Sequence, residues 1–151
     1  MKKKITVLLI ILFFTPSCGF SPIYSNKNNY NISIEQLSLT GDRTLNNYLK
    51  SSLNKYKNNE EATKKISLKV ATDYQKTILS KDLTGTVNKY ELVAEVIFII
   101  MPNNQRLVFS QKKIMENMSN KTNEIDFENT TKQTFANIMA NELINKLAEI
   151  K

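Results

Sequence analysis

The chain has 151 residues, with 21 Lys and Arg against 14 Asp and Glu for a net charge of +7, 41 % hydrophobic residues, no His and a single Cys. Without histidine, and with one cysteine, it lacks the commonest general base and metal ligand and any disulfide framework, so neither an enzyme nor a metal or organic cofactor is expected. The positive charge is not gathered into a dense basic stripe, which argues against a nucleic-acid partner.

Lys2, Lys3 and Lys4 precede an apolar run from Ile5 to Phe14, and Thr15-Pro16-Ser17 then lead to Cys18, the pattern of an export signal. The run of about ten residues is too short for a spanning helix, which needs roughly 20. A cysteine as the first mature residue is what bacterial lipoprotein processing requires. Cys18 is therefore the expected site of an S-diacylglycerol thioether and, after cleavage, of N-acylation. Each buried lipid methylene contributes about 0.8 kcal/mol, so one chain anchors marginally and several anchor almost permanently. The alternative is a plain secretory signal, because Thr15 and Pro16 stand where a lipobox carries a branched aliphatic and a small residue. Gly19 is not the aspartate associated with retention in the inner membrane, which favours the outer membrane as destination. The expected division is a signal peptide over 1–17, a lipidated N-terminus and polar tether over 18–30, and one domain over 31–151. Removing 1–17 leaves 134 residues, enough for one core, with 18 cationic and 14 acidic side chains, a net +4.

Within the domain, residues 31–39 alternate through Ile32, Ile34, Leu37 and Leu39 as a first strand. Thr40-Gly41-Asp42 is a turn whose Thr40 or Asp42 oxygen can cap a helix. Leu45, Tyr48, Leu49, Leu53 and Tyr56 then recur at three- and four-residue intervals, predicting a helix that ends near Lys57. Residues 58–61, with Glu60 and Glu61, read as a solvated loop. Residues 66–74 alternate again, and a break is expected around 80–85. Residues 90–101 are the most apolar stretch of the domain. One face of this strand carries Leu92, Ala94, Val96, Phe98 and Ile100, and the other carries Val93, Ile97 and Ile99 among Glu91, Glu95 and Met101. Pro102-Asn103-Asn104 is a turn, and 106–115 returns as a hairpin partner. After a polar loop over 119–124, Asp126 or Asn123 can cap a final helix to about Glu149, with an apolar stripe of Phe127, Phe135, Ile138, Met139, Leu143, Leu147 and Ile150. Asp126 and Glu128 read as solvated carboxylates at its start. The asparagine tripeptides at Asn117, Asn120 and Asn129 read as chance matches to a glycosylation signal.

The order is β-α-β-β-β-α. A strand-helix-strand connection within one sheet makes its strands parallel, whereas the last three strands follow each other closely enough to be antiparallel. The expected fold class is therefore α+β, a two-layer sandwich with a mixed four-stranded sheet and two helices on one face.

Cys18-Gly19-Phe20-Ser21-Pro22-Ile23-Tyr24 resembles the first mature residues of the LPS-assembly lipoprotein LptE family in its alphaproteobacterial-type form, where a cysteine is followed by Gly-Phe, a proline, an aliphatic residue and a tyrosine. The order of elements resembles that family over the whole mature chain. The resemblance implies an α/β sandwich that sits inside the lumen of the LptD outer-membrane β-barrel, helps the barrel fold and helps deliver lipopolysaccharide to the outer leaflet. The residues themselves lead to two candidate surfaces. Two helices can cover one face of a small sheet, which leaves Val93, Ile97 and Ile99 on the other as a candidate partner interface; the alternative is a loop or the tether folded over them. Lys81 and Lys121 lie in loops that leave the sheet at the same end, near a helix N-terminus, and are the candidate lipopolysaccharide contacts; the alternative is two ordinary solvated lysines. A competing function is a small envelope lipoprotein acting as a pilotin or as a transporter's auxiliary binding subunit.

Overall fold

The computed structural model describes residues 31–149. Strand β1 (Ile32–Gly41) ends at a glycine with φ +102°, where an added Cβ would stand 1.8 Å from the Thr72 carbonyl oxygen, so only glycine fits. Asp42 follows, and its Oδ1 accepts from the Leu45 amide at 2.7 Å, which starts helix α1 (Arg43–Leu53) as the turn chemistry predicted. A single 3-10 turn (Asn54–Tyr56) leads to β2 (Lys64–Lys81), β3 (Val87–Met101), β4 (Gln105–Glu116) and helix α2 (Lys121–Glu149).

The sheet order is β1-β2-β3-β4, with β1 parallel to β2 and the other two pairs antiparallel. Both helices pack on one face of this sheet and against each other, so the expected α+β sandwich is the observed one. The strands around the β2–β3 hairpin are longer than their side-chain pattern predicted. Pairing runs from Ser67↔Met101 to Lys81↔Val87, past the expected strand ends and up to the stretch read as a break, with register shifts around Ser80. Backbone ladders do not depend on apolar alternation once two strands lie side by side. The chain reverses only at Asp82, whose Oδ1 accepts from the amides of Thr84 at 2.8 Å and Thr86 at 2.9 Å and from the Thr84 hydroxyl.

The core lies between the helix-facing side of the sheet and the two helices. Leu68, Val70, Ala94, Val96 and Phe98 from the strands meet Leu45, Leu49 and Leu53 from α1 and Phe135, Met139, Leu143, Ile144 and Leu147 from α2. Each of these side chains except that of Ala94 contributes about 1.5–3 kcal/mol relative to an exposed one. Helix α2 differs from the expected helix in two ways. It begins at Lys121, because Asn120 rather than Asn123 or Asp126 supplies the cap; Asn120 Oδ1 accepts from the amides of Thr122 at 2.8 Å and Asn123 at 3.4 Å. Its inward stripe is also rotated. Ile138 is exposed and Phe127 half-buried, while Ala136, Ala140 and Ile144 are buried. The alanines face the core because α1 packs against this helix, and small side chains allow that approach. Ile150, the last residue of the expected stripe, lies outside the described residues.

Candidate interaction surfaces

The sheet face away from the helices carries Val93, Ile97 and Ile99 of the central strand β3, all half-buried. The cross-strand register shows what surrounds them. Ile97 lies between Ala71 of β2 and Val108 of β4, Ile99 between Lys69 and Arg106, and Val93 between Gln75 and Lys112. Val108 is 50 % exposed, and Ile114, opposite Glu91, is 54 % exposed. These five aliphatic side chains form a broken apolar strip with a cationic margin at Lys69, Arg106 and Lys112. Asp73 and Glu95 stand directly opposite each other in the middle of it, an arrangement that weakens strand pairing. Among the described residues both helices lie on the opposite side.

Lys81 and Lys121 do lie at the same end of the sheet, but their settings differ. Lys81 closes β2 at the hairpin and is exposed. Lys121 is not in a loop. It is the first residue of α2, and its Nζ donates to Glu124 Oε1 at 2.9 Å. The free helix-terminal amides expected beside it are in part capped by Asn120. The Asp82 carboxylate next to Lys81 is held below its ordinary range, chiefly by the Thr84 hydroxyl and, against a small opposing desolvation, by backbone amides of the turn.

Beneath the first turns of α2 lies a polar seam. The helix-facing side of β2 changes from Ile66, Leu68 and Val70 to Thr72, Tyr74 and Lys76. Lys76 Nζ donates to Glu124 Oε1, and to Glu128 Oε2 at 3.2 Å, and lies 4.6 Å from the centre of the Tyr90 ring. Burial alone would lower the Lys76 pKa, but its hydrogen bonds to Glu124 and Glu128 outweigh it and raise the value. Hydrogen bonds from Lys76 and then Lys121 hold the Glu124 carboxyl below its usual range. Lys132, 8 % exposed, reaches Asp42 Oδ2 at 3.1 Å and sits 3.8 Å from the centre of the Tyr74 ring. The Tyr74 hydroxyl is buried without a hydrogen bond of normal geometry. Its pKa is pushed well up, first by burial and then by the Glu128 carboxylate. The Thr72 hydroxyl closes the seam, within hydrogen-bond distance of Asn46 Oδ1 at 3.0 Å and of the Thr40 carbonyl at 3.1 Å.

The architecture recurs in solved structures. Rare lipoprotein B from Shewanella oneidensis, 20 % identical, aligns over 76 % of this chain and 95 % of its own with a TM-score of 0.54. The uncharacterized lipoprotein B from Nitrosomonas europaea, 14 % identical, aligns over 79 % and 86 % at 0.53. The candidate lipoprotein from Caulobacter crescentus CB15, 15 % identical, aligns over 80 % and 89 % at 0.54. The chain has the lipoprotein B fold. No protein-family model matches the sequence, and no curated protein does.

Two cavities of the described surface are small. The cavity of about 130 Å³ between Ile34, Leu37, Leu53 and Lys57, and the one of about 190 Å³ between Ser33, Asn58, Glu60 and Lys65, are smaller than the roughly 300–1,000 Å³ of typical ligand pockets. Beside these cavities stand two candidate surfaces, the open sheet face and the hairpin end. Sequence reasoning placed Val93, Ile97 and Ile99 on that face but omitted Val108 and Ile114, whose alternation in β4 is the signal that would have added them. It also took Glu128 for a solvated carboxylate. The spacing of Glu124, Glu128, Thr131, Lys132 and Phe135 at three and four residues continues the inward stripe of α2, so the seam was visible as a helical face with charges on it. Cys18 lies outside the described residues.

Proposed function

We propose that this chain is an outer-membrane lipoprotein, anchored through acyl chains on Cys18, that assembles with the LptD β-barrel and assists lipopolysaccharide insertion into the outer leaflet. The observation that carries this reading is the lipoprotein B fold, spread over most of the domain and following a signal that ends at a lone cysteine. The resemblance of residues 18–24 and of the element order to the LptE family points the same way. The open sheet face supplies an interface of suitable character, since an uncovered apolar strip with a polar margin is the usual mark of a protein contact. Val93, Ile97 and Ile99 would form the middle of that contact. Lys81, exposed at the hairpin, is the stronger candidate for a lipopolysaccharide phosphate, and Lys121 would share its charge with Glu124. An exposed lysine–phosphate contact contributes on the order of 1 kcal/mol and fades with salt.

The test is co-purification. Tagged full-length protein from envelopes labelled with a fatty-acid precursor is expected to carry label on Cys18 and to bring a large outer-membrane barrel with it. Ile97→Lys is expected to fold normally by circular dichroism and to lose the barrel, because a lysine forced into an apolar contact is buried unpaired. Wild-type protein that is unlabelled, or that recovers no barrel, overturns the reading; recovery of a pilus or transporter component instead would replace it.

A further inference from the structure

We propose that two copies of this chain pair through the free edge of β4, antiparallel about a two-fold axis at Gln111, to form one continuous eight-stranded sheet from two four-stranded ones. Strand β4 has 12 residues, no proline and no register shift against β3, and no described strand pairs with its outer edge. Such an edge presents a row of backbone donors and acceptors to any strand that can match its side chains.

The best match in the described chain is β4 itself. With the axis at Gln111, residues whose numbers sum to 222 stand opposite each other. Arg106 then faces the partner's Glu116, Val108 faces the partner's Ile114, and Ser110 faces the partner's Lys112, each pair occurring twice by symmetry. All six residues lie on the open face of the sheet, as the alternation of β4 against β3 requires. The exposed large hydrophobic residues of β4 are Val108 and Ile114, and this register covers one with the other. The cation and the anion nearest the two ends of the strand also meet.

The other registers that pair most of β4 fail on the same side chains. An axis at Phe109 sets Arg106 against Lys112, and one at Ser110 sets Val108 against Lys112. A parallel in-register pair stacks Arg106 on Arg106 and Lys112 on Lys112. A slip by one residue sets open-face residues against helix-face ones. Like charges directly opposite each other are destabilising, whereas opposite charges and aliphatic pairs contribute favourably. The contact is isologous, so it closes as a dimer and does not propagate into a fibre. It concerns the protein by itself and does not rest on the barrel reading above.

The experiment uses the full chain purified in detergent. Gln111→Cys places two thiols on the axis, where directly opposite Cβ atoms are about 4.5–5.5 Å apart, and is expected to give a disulfide-linked dimer under mild oxidation. The wild-type chain, whose only cysteine is Cys18, sets the background. Independently of any added cysteine, Arg106→Glu is expected to weaken dimerisation about tenfold in sedimentation equilibrium, since it sets like charges together at both symmetric positions. Arg106→Glu combined with Glu116→Arg is expected to restore it. A Gln111→Cys chain that is folded by circular dichroism and yields no more covalent dimer than wild type overturns the proposal, as does a wild-type chain that sediments as a monomer at every concentration tested. A dimer that the double reversal does not restore overturns the Gln111 register.

Discussion

The same three elements, β2, β3 and α2, meet in two different ways along one interface. Toward the Pro102 turn they meet through Leu68, Val70, Phe98, Met139 and Leu143, all 2 % exposed or less. Toward the β2–β3 hairpin they meet through Tyr74, Lys76, Tyr90, Glu124, Glu128 and Lys132. The first half is non-directional, and each square ångström of apolar area removed from water contributes about 25 cal/mol. In the second half, attraction between the charges is largely offset by the cost of taking them out of water, so its net contribution is small although breaking it is costly. One half therefore holds most of the stability. The other fixes how α2 lies on the sheet, because Lys76 and Lys132 reach their partners only in one axial position of the helix.

Substitutions can separate the two halves. Leu143→Ala, in the apolar half, is expected to cost about 3 kcal/mol, through lost burial and the cavity left behind, and to lower the urea midpoint accordingly. Lys132→Met, in the polar half, is expected to cost about 1.5 kcal/mol in the same measurement. It leaves the Asp42 carboxylate without its cation, but Asp42 is a quarter exposed and water takes up part of the loss. A cost equal to that of Leu143→Ala would show that the seam, too, is a main source of stability.

The smallest expected effect has the opposite sign. Tyr74→Phe removes a buried hydroxyl without a normal hydrogen bond and is expected to stabilise the fold by about 1 kcal/mol. It should also change the pH dependence. Tyr74 and Lys76 have raised folded-state pKa values, so their contribution is complete below the unfolded values near about 10 and is lost as pH rises beyond them. Glu124 has a lowered one, so its contribution is present above the ordinary carboxylate range near about 4.3 and is lost as pH falls through the folded value. Melting temperature against pH is therefore expected to show a plateau with an acid and an alkaline flank. Tyr74→Phe should make the alkaline flank shallower, and Leu143→Ala should lower the whole curve without changing its shape.

Much of the fold was legible because apolar residues recur with the period of the element they belong to. Leu45, Leu49 and Leu53 identified the inward side of α1, and Leu92 to Ile100 identified the helix-facing side of β3, since burial on one face imposes a period of 3.6 or 2. The open-face candidates Val93, Ile97 and Ile99 followed from the same alternation. The start of α2 was misplaced because asparagine at 120 and at 123 are equally good caps in isolation. The β2–β3 ladder is longer than the side-chain pattern because Ile78, Leu79 and Ser80 break the alternation while backbone pairing continues to Lys81.

The sequence by itself determined the element order, the parallel and antiparallel connections, a cap for α1 at Thr40 or Asp42 and the side of each strand that faces the helices, because these rest on local periodicity and on short connections. Only the tertiary structure decided which surfaces the described elements leave uncovered and where the charges of α2 go. Lys76 and Glu124 are 48 residues apart, and Asp42 and Lys132 are 90 apart. Whether such groups meet depends on the axial position of a helix on a sheet, which side-chain period does not encode. The free edge of β4 is of the same kind: alternation marks a strand, but only the order of the assembled sheet leaves that strand at its margin.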